Sequence, residues 1–241
     1  MCADFAARLF YTTVLPRTDA TTGTSFFVAS DPKCSPANTF LVTNRHVVDG
    51  ASSIEFFMHL RGSTDLQRLI TLRSDWIDHP GGLDLCILSF ASIIVRYGLN
   101  ADMLDFASFS FNDVLDNVQL EQQCAGIESV TLIGYPYGFY DEVNYLPVAR
   151  RGTTAVPLWV DWRGRAEFLI DIAGFRGNSG GPVLLFDRGN YTDKHGTFMA
   201  GRTRLHLLGI FSEVYQAGAT ALNLGQCIKA FAVRDMITQL A

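Results

Sequence analysis

Hydrophobic positions along this chain fall in short runs rich in β-branched and aromatic residues, each bounded by Gly, Pro, Asp or Asn. That texture predicts strands. In the first hundred residues the runs are ARLFYTTVL, GTSFFVAS, TFLVT, SSIEFFMHL, LQRLITL and LDLCILSF. A second series follows: SVTLIGYP, VARRGTTAV, EFLIDIAG, GPVLLFD, LHLLGIFSE and QCIKAF. Between them the texture changes to part helix, part loop, with ADMLDFASFSFNDVLD at its centre. At the end, AVRDMITQLA places Val233, Met236, Ile237 and Leu240 at helical spacing, which predicts a short helix laying one face on the body. The expected fold is all-β: two antiparallel β-barrels or one sandwich, with a short C-terminal helix. The expected divisions are 1–95 for the first barrel, 96–125 for a crossover, and 126–241 for the second barrel with its helix. Together they form one domain.

Composition narrows the class. The 241 residues are 48% hydrophobic and 18% charged, a soluble globular balance. Net charge is −5, which disfavours general nucleic-acid binding. Arg150, Arg151, Arg163, Arg165 and Arg176 cluster in sequence and read as solvated surface, with a basic rim as the alternative. No apolar run reaches membrane-spanning length, and the N-terminus lacks the basic start and apolar stretch of a secretory signal. Five scattered cysteines contain no C-x-x-C pair, which argues against a disulfide framework or a zinc site. The expectation is reduced thiols in a cytoplasmic protein that needs no metal and no cofactor. Cys86 and Cys227 sit in apolar runs and read as core residues.

One stretch carries chemistry: GFRGNSGGPVLL, from Gly174 to Leu185, with Ser179 among glycines. GNSGG satisfies G-x-S-x-G, the nucleophile elbow of α/β-hydrolases. In that fold an acid and then a histidine follow the serine. The 62 residues after Ser179 hold only His195 and His206, and GPVLLF continues as a strand, so that reading fails. The opposite order works. His46 follows the run FLVT, and Asp84 opens another. His46, Asp84 and Ser179 then stand in the order of a chymotrypsin-type triad, supporting residues first and nucleophile last. His46 would take the hydroxyl proton of Ser179, and Asp84 would fix the imidazole tautomer. The glycines would free the N–H groups of Gly177 and Ser179 to stabilise an oxyanion.

The motifs GTSFFVAS, VTNRHVV, LDLCIL, LIGYPYG and DIAGFRGNSGGPVL resemble the trypsin/chymotrypsin clan of serine proteases, in particular HtrA-related bacterial trypsin-like peptidases. The resemblance runs over nearly the whole chain. It implies a double β-barrel, peptide-bond hydrolysis and a protein or peptide substrate. Asn178 stands where pancreatic-type members carry aspartate, and no IVGG-like segment appears, so activation by a freshly cut N-terminus is not expected. A peptidase domain without the appended peptide-binding module of HtrA-type enzymes is expected. The resemblance also places a specificity pocket. Ala173 falls at its floor, Ser212, Glu213 and Val214 along the substrate edge, and Gly225 on the opposite wall. With no carboxylate at Ala173 and Val214 narrowing the entrance, the implied preference before the cut is Ala, Val or Leu. Glu213 turned inward would favour a basic residue instead. Two alternatives stay open: a catalytically degenerate domain serving as an interaction module, and a narrow processing protease switched on by a protein partner.

Overall fold

The computed structural model describes residues 5–217 and 220–240. Its first half holds β1 (Thr13–Val14), β2 (Ser25–Ala29), β3 (Thr39–Thr43), β4 (Ser53–Leu60), β5 (Leu66–Leu72), β6 (Ile77–Asp78), β7 (Cys86–Ser89), β8 (Leu104–Asp105) and β9 (Phe109–Ser110). They form two sheets. One runs β1-β2-β3-β7-β6, with β9 added parallel to β2; the other runs β5-β4-β8. An isolated bridge between Arg17 and Glu55 joins the two, so this barrel has a broken wall. The crossover contributes β8 and β9 to these sheets.

The second half holds β10 (Ser129–Gly134), β11 (Val148–Thr154), β12 (Glu167–Asp171), β13 (Pro182–Asp187), a hairpin of β14 (Asn190–Thr192) and β15 (Phe198–Ala200), then β16 (Arg204–Ala217) and β17 (Thr220–Lys229). Six of these close a barrel in the order β10-β11-β12-β17-β16-β13. The expected all-β architecture with a terminal helix is thus present. Helices are short: α1 (Phe5–Arg8), α2 (Arg45–Val48), α3 (Phe90–Tyr97), α4 (Asn117–Gln123) and α5 (Ala230–Leu240). Among the described residues, no helix is long and apolar enough to cross a membrane.

Strand alternation explains why the halves act as one body. β2 is buried along its whole length. Phe27 points into the core of the first half, with Leu41, Phe56 and Leu88. Phe26 and Val28 point the other way, into a core shared with Leu184, Ile210 and Ile228 of the second barrel and with Val233, Met236 and Ile237 of α5. Successive side chains on a strand face opposite sides, so one strand serves both cores. Val183 and Leu185 enter the second barrel's own core with Phe168, Phe211 and Cys227.

Two differences from the sequence reading have local causes. ARLFYTTVL begins as helix: Ala6, Ala7, Arg8 and Leu9 are good helix formers. The N–H and hydroxyl of Thr12 both bond the Leu9 carbonyl to close the turn, leaving only Thr13–Val14 as strand. LDLCILSF ends as strand at Ser89, and α3 starts at Phe90, closed by Gly98 at φ 59°. In α5, Val233, Met236 and Ile237 are buried as expected, but Leu240 is 49% exposed. Cys34, Cys86, Cys124 and Cys227 are free thiols. Cys2 lies outside the described residues.

At the end of β17, Lys229 is wholly buried and bonds Asp161 at 2.6 Å and Asn117 of α4 at 2.8 Å. Burial pulls the Lys229 pKa down, and Asp161 offsets part of that. Removing one partner of a fully buried ion pair costs about 3–5 kcal/mol. Asp161 is 41% exposed, so Asp161→Ala is predicted to cost about 2 kcal/mol, lowering the melting temperature by about 4–8 °C. Calorimetry should show the double variant Asp161→Ala/Lys229→Met recovering most of it. A thiol titration of denatured, unreduced protein is predicted to count all five cysteines; one or none would mean disulfides.

Candidate active site

Strand register brings the candidate residues together from sequence positions far apart. β3 and β7 are antiparallel, with Thr43 opposite Cys86. His46, three residues past the end of β3, therefore meets Asp84, two residues before β7. The one-turn helix α2 turns the His46 ring toward it, and Asn44 anchors the turn by donating to the Asp84 carbonyl at 2.7 Å. The second barrel repeats the device. Pro182 of β13 lies opposite Ile210 of β16, so Ser179 meets Ser212.

Asp84 is fully engaged. Its Oδ2 accepts from His46 Nδ1 at 2.6 Å and from the Ser212 hydroxyl at 3.0 Å, and its Oδ1 accepts from the His46 backbone N–H at 3.0 Å. The Ser179 hydroxyl donates to the Ser212 carbonyl at 2.9 Å rather than to His46. The hydrogen bond to Asp84 raises the His46 pKa above its ordinary value. Partial burial opposes this, and the charges of Asp84, Glu213 and Asp49 add to the rise. For Asp84, burial pulls upward, but the bonds from His46 and Ser212 outweigh it and hold the carboxyl below its usual range.

The backbone around Ser179 can be accounted for group by group. The Arg176 carbonyl accepts from Tyr137 N–H at 2.5 Å, and the Ser179 carbonyl from Thr24 N–H at 2.8 Å. The Gly177 carbonyl accepts from the Thr24 hydroxyl at 2.8 Å. The N–H groups of Asn178, Gly180 and Gly181 donate to Phe175, Phe211 and Asn178 carbonyls. Among the described residues, the N–H groups of Gly177 and Ser179 have no partner. In a trans peptide the C=O and N–H point opposite ways. With the Arg176 carbonyl held by Tyr137, the Gly177 N–H faces away from that turn. Gly177 needs its φ of 91° and its missing side chain: a Cβ there would lie 2.2 Å from the Tyr135 carbonyl oxygen. Asn178 is 1% exposed, so a carboxylate at this position would need a cation that the neighbouring backbone does not supply.

A cleft of about 800 Å³ holds His46, Asp84, Ser179, Ser212, Glu213 and Val214. Ala173 and Gly225 do not line it; the Phe211 ring stands at that side instead. A Cβ on Gly225 would fall 2.3 Å from Phe211 Cε2, and one on Gly174 would fall 2.3 Å from Phe211 Cζ. Tyr137, Phe175, Arg176 and Asn223 complete the lining. Sequence reasoning passed over Tyr137, Phe175 and Asn223. Phe211 was hidden because an apolar residue in a strand gives the same signal whether it fills a core or floors a pocket. Of the five clustered arginines, Arg176 lines the cleft and Arg150 stacks on Phe175 at 4.7 Å. Among the described residues, no group of three or more His, Cys, Asp or Glu could hold a metal.

Residues 23–191 match the family model of the trypsin-like peptidase domain. No curated protein matches the sequence. The fold is similar to that of a serine endoprotease from Yersinia pestis, at 18% identity and a TM-score of 0.56, over 98% of this chain and 64% of that one. It is similar to the MamO protease domain of Magnetospirillum magneticum, at 13% identity and a TM-score of 0.54, over 96% of this chain and 98% of that one. It is also similar to the HtrA-type protease AlgW bound to a tripeptide, at 18% identity and a TM-score of 0.56, over 98% and 62%. With the family match covering more than half of its length, the chain belongs to the trypsin-like peptidase family of serine endopeptidases.

Proposed function

We propose that this protein cleaves peptide bonds through Ser179 as nucleophile, His46 as general base and then acid, and Asp84 as the group that orients His46. The observation that carries the reading is the hydrogen-bonded run His46–Asp84–Ser212–Ser179 beside two N–H groups that have no partner among the described residues. For reaction, the Ser179 hydroxyl turns from the Ser212 carbonyl to His46 Nε2. Its oxygen then bonds the substrate carbonyl carbon as His46 takes the proton. The carbonyl oxygen becomes an oxyanion held by the N–H groups of Gly177 and Ser179, each donor worth about 2.7–4 kcal/mol. His46 returns the proton to the leaving amine. Water, deprotonated by His46, then releases the acyl group from Ser179.

The strand edge supplies the substrate track. β13 pairs with β16 only as far as Ile210, while β17 pairs with the other side of β16 out to Ala217. Ser212 to Tyr215 therefore present an open edge to the cleft, where an extended peptide can add as a strand. The pocket beside Ser179 is closed below by Phe211 and narrowed by Val214, whose Cγ2 lies 2.9 Å from a Cβ position on Gly174. Such a pocket accepts Ala, Val or Leu before the cut.

A fluorophosphonate probe should label the wild-type protein at Ser179 and leave Ser179→Ala unlabelled. Peptide hydrolysis should fall by up to about a million-fold for Ser179→Ala or His46→Ala, and by about ten-thousand-fold for Asp84→Asn. His46 acts as base only when neutral. Because its pKa is raised, activity should be lost as pH falls through a point above 6.5. In a kcat/KM profile, Glu213→Gln should move that acid limb to lower pH. A peptide library should return small and medium apolar residues at the cut, with tenfold or larger discrimination against Lys and Arg, a ratio set by about 1.4 kcal/mol or more. A dominant basic preference that disappears in Glu213→Gln would assign the pocket to Glu213.

A further inference from the structure

Thr24 does not touch the cleft, yet it holds the nucleophile loop at two points. It is fully buried, at the entry to β2 in the first half. Its N–H donates to the Ser179 carbonyl at 2.8 Å, and its hydroxyl donates to the Gly177 carbonyl at 2.8 Å. The same hydroxyl accepts from Tyr135 N–H at 3.2 Å, at the turn that leaves β10. Its carbonyl accepts from the Thr43 hydroxyl at 2.7 Å, three residues before His46. One residue thus ties together the segment leading to the histidine, the turn after β10 and both flanks of Asn178.

The hydroxyl is the informative part. A hydroxyl that donates to one backbone group and accepts from another has no rotational freedom left. It sits in a slot that excludes other arrangements. A Cβ on Gly134 would lie 2.8 Å from Thr24 Oγ1, and a Cβ on Gly180 would lie 2.0 Å from the Thr24 carbonyl oxygen. Gly177 is the residue least able to hold its own orientation, because glycine accepts a peptide flip without steric cost. Two external bonds fix it: Tyr137 N–H on the carbonyl before it and the Thr24 hydroxyl on its own carbonyl. We infer that Thr24 is a positioning residue for the oxyanion site: from the opposite half of the molecule its hydroxyl fixes the peptide unit that follows Gly177, while Tyr137 N–H holds the unit that carries the Gly177 N–H. The inference rests on the peptidase reading of the cleft.

The test compares Thr24→Val, which keeps the shape and removes the hydroxyl, with Thr24→Ser, which keeps the hydroxyl. Rates are normalised to sites titrated by a fluorophosphonate, so loss of folded protein does not count. Thr24→Val should lower kcat by roughly tenfold to a hundredfold, the scale of a misplaced reacting group, with KM within about twofold. A peptide boronate, whose tetrahedral oxygen occupies the oxyanion position, should lose affinity in parallel. Binding of an uncleaved peptide in the Ser179→Ala background should be the same with Thr24 or Thr24→Val. Thr24→Ser should stay within about threefold of wild type. Where Thr24→Val does not fold, Thr24→Ala removes the same hydroxyl with less bulk and carries the same expectations. An unchanged kcat per titrated site overturns the assignment, as does a loss confined to KM or a Thr24→Ser variant as impaired as Thr24→Val. A wild-type protein that neither labels nor cleaves any peptide overturns the peptidase reading, and the role of Thr24 with it.

Discussion

The hydrogen bond from Ser212 to Asp84 crosses from one half of the molecule to the other, and the site has meaning only while that crossing holds. Asp84 belongs to the mouth of β7 and Ser212 to the bulged part of β16. A hydrogen bond to a charged group contributes about 1.5–3 kcal/mol. That is too little to hold two barrels in register. The shared core does the holding: eighteen of the described residues, buried and drawn from both halves and from α5. Each large apolar side chain buried there contributes about 1.5–3 kcal/mol relative to exposure. The polar contacts at the seam set the alignment to fractions of an ångström, and the apolar contacts supply the energy that keeps it.

Charge at the cleft works in one direction. Asp84, Glu213 and Asp49 all favour the protonated imidazole, and only partial burial of the ring opposes them. The same acidic surroundings favour an imidazolium at His46. A raised pKa and a stabilised imidazolium are two faces of one field. Arg176 also lines the cleft, but it is not among the charges that set the His46 pKa.

Much of this architecture was legible in the residues. Strand texture located the longer strands of both halves, because short β-branched and aromatic runs between turn residues carry a local signal; the two- and three-residue strands β6, β8, β9, β14 and β15 are too short to carry one. His46, Asp84 and Ser179 were legible because each follows or precedes a strand end in a recognisable motif. ARLFYTTVL reads as strand from its aromatic and β-branched content, but the Ala6-Ala7-Arg8-Leu9 stretch at its start favours helix. Thr24 and Phe211 were read as ordinary strand residues within GTSFFVAS and LHLLGIFSE. Their importance lies in contacts across 153 residues in one case and with two glycine backbones in the other. No periodicity reports such contacts. The resemblance places Ala173 at the pocket floor by position alone, and the cleft is lined on that side by Phe211.

The strand order of the second barrel has a consequence for biosynthesis. β12 ends at Asp171, but its partner in the closed ring is β17, which begins at Thr220. Chains emerge at about 5–20 residues per second, so the barrel waits several seconds between making one side of that seam and the other. For most of this interval Ser179 is already synthesised without Ser212 and the free edge of β16, and throughout it without the Lys229 anchor beyond them. Late closure therefore separates the synthesis of Ser179 from the completion of the cleft around it.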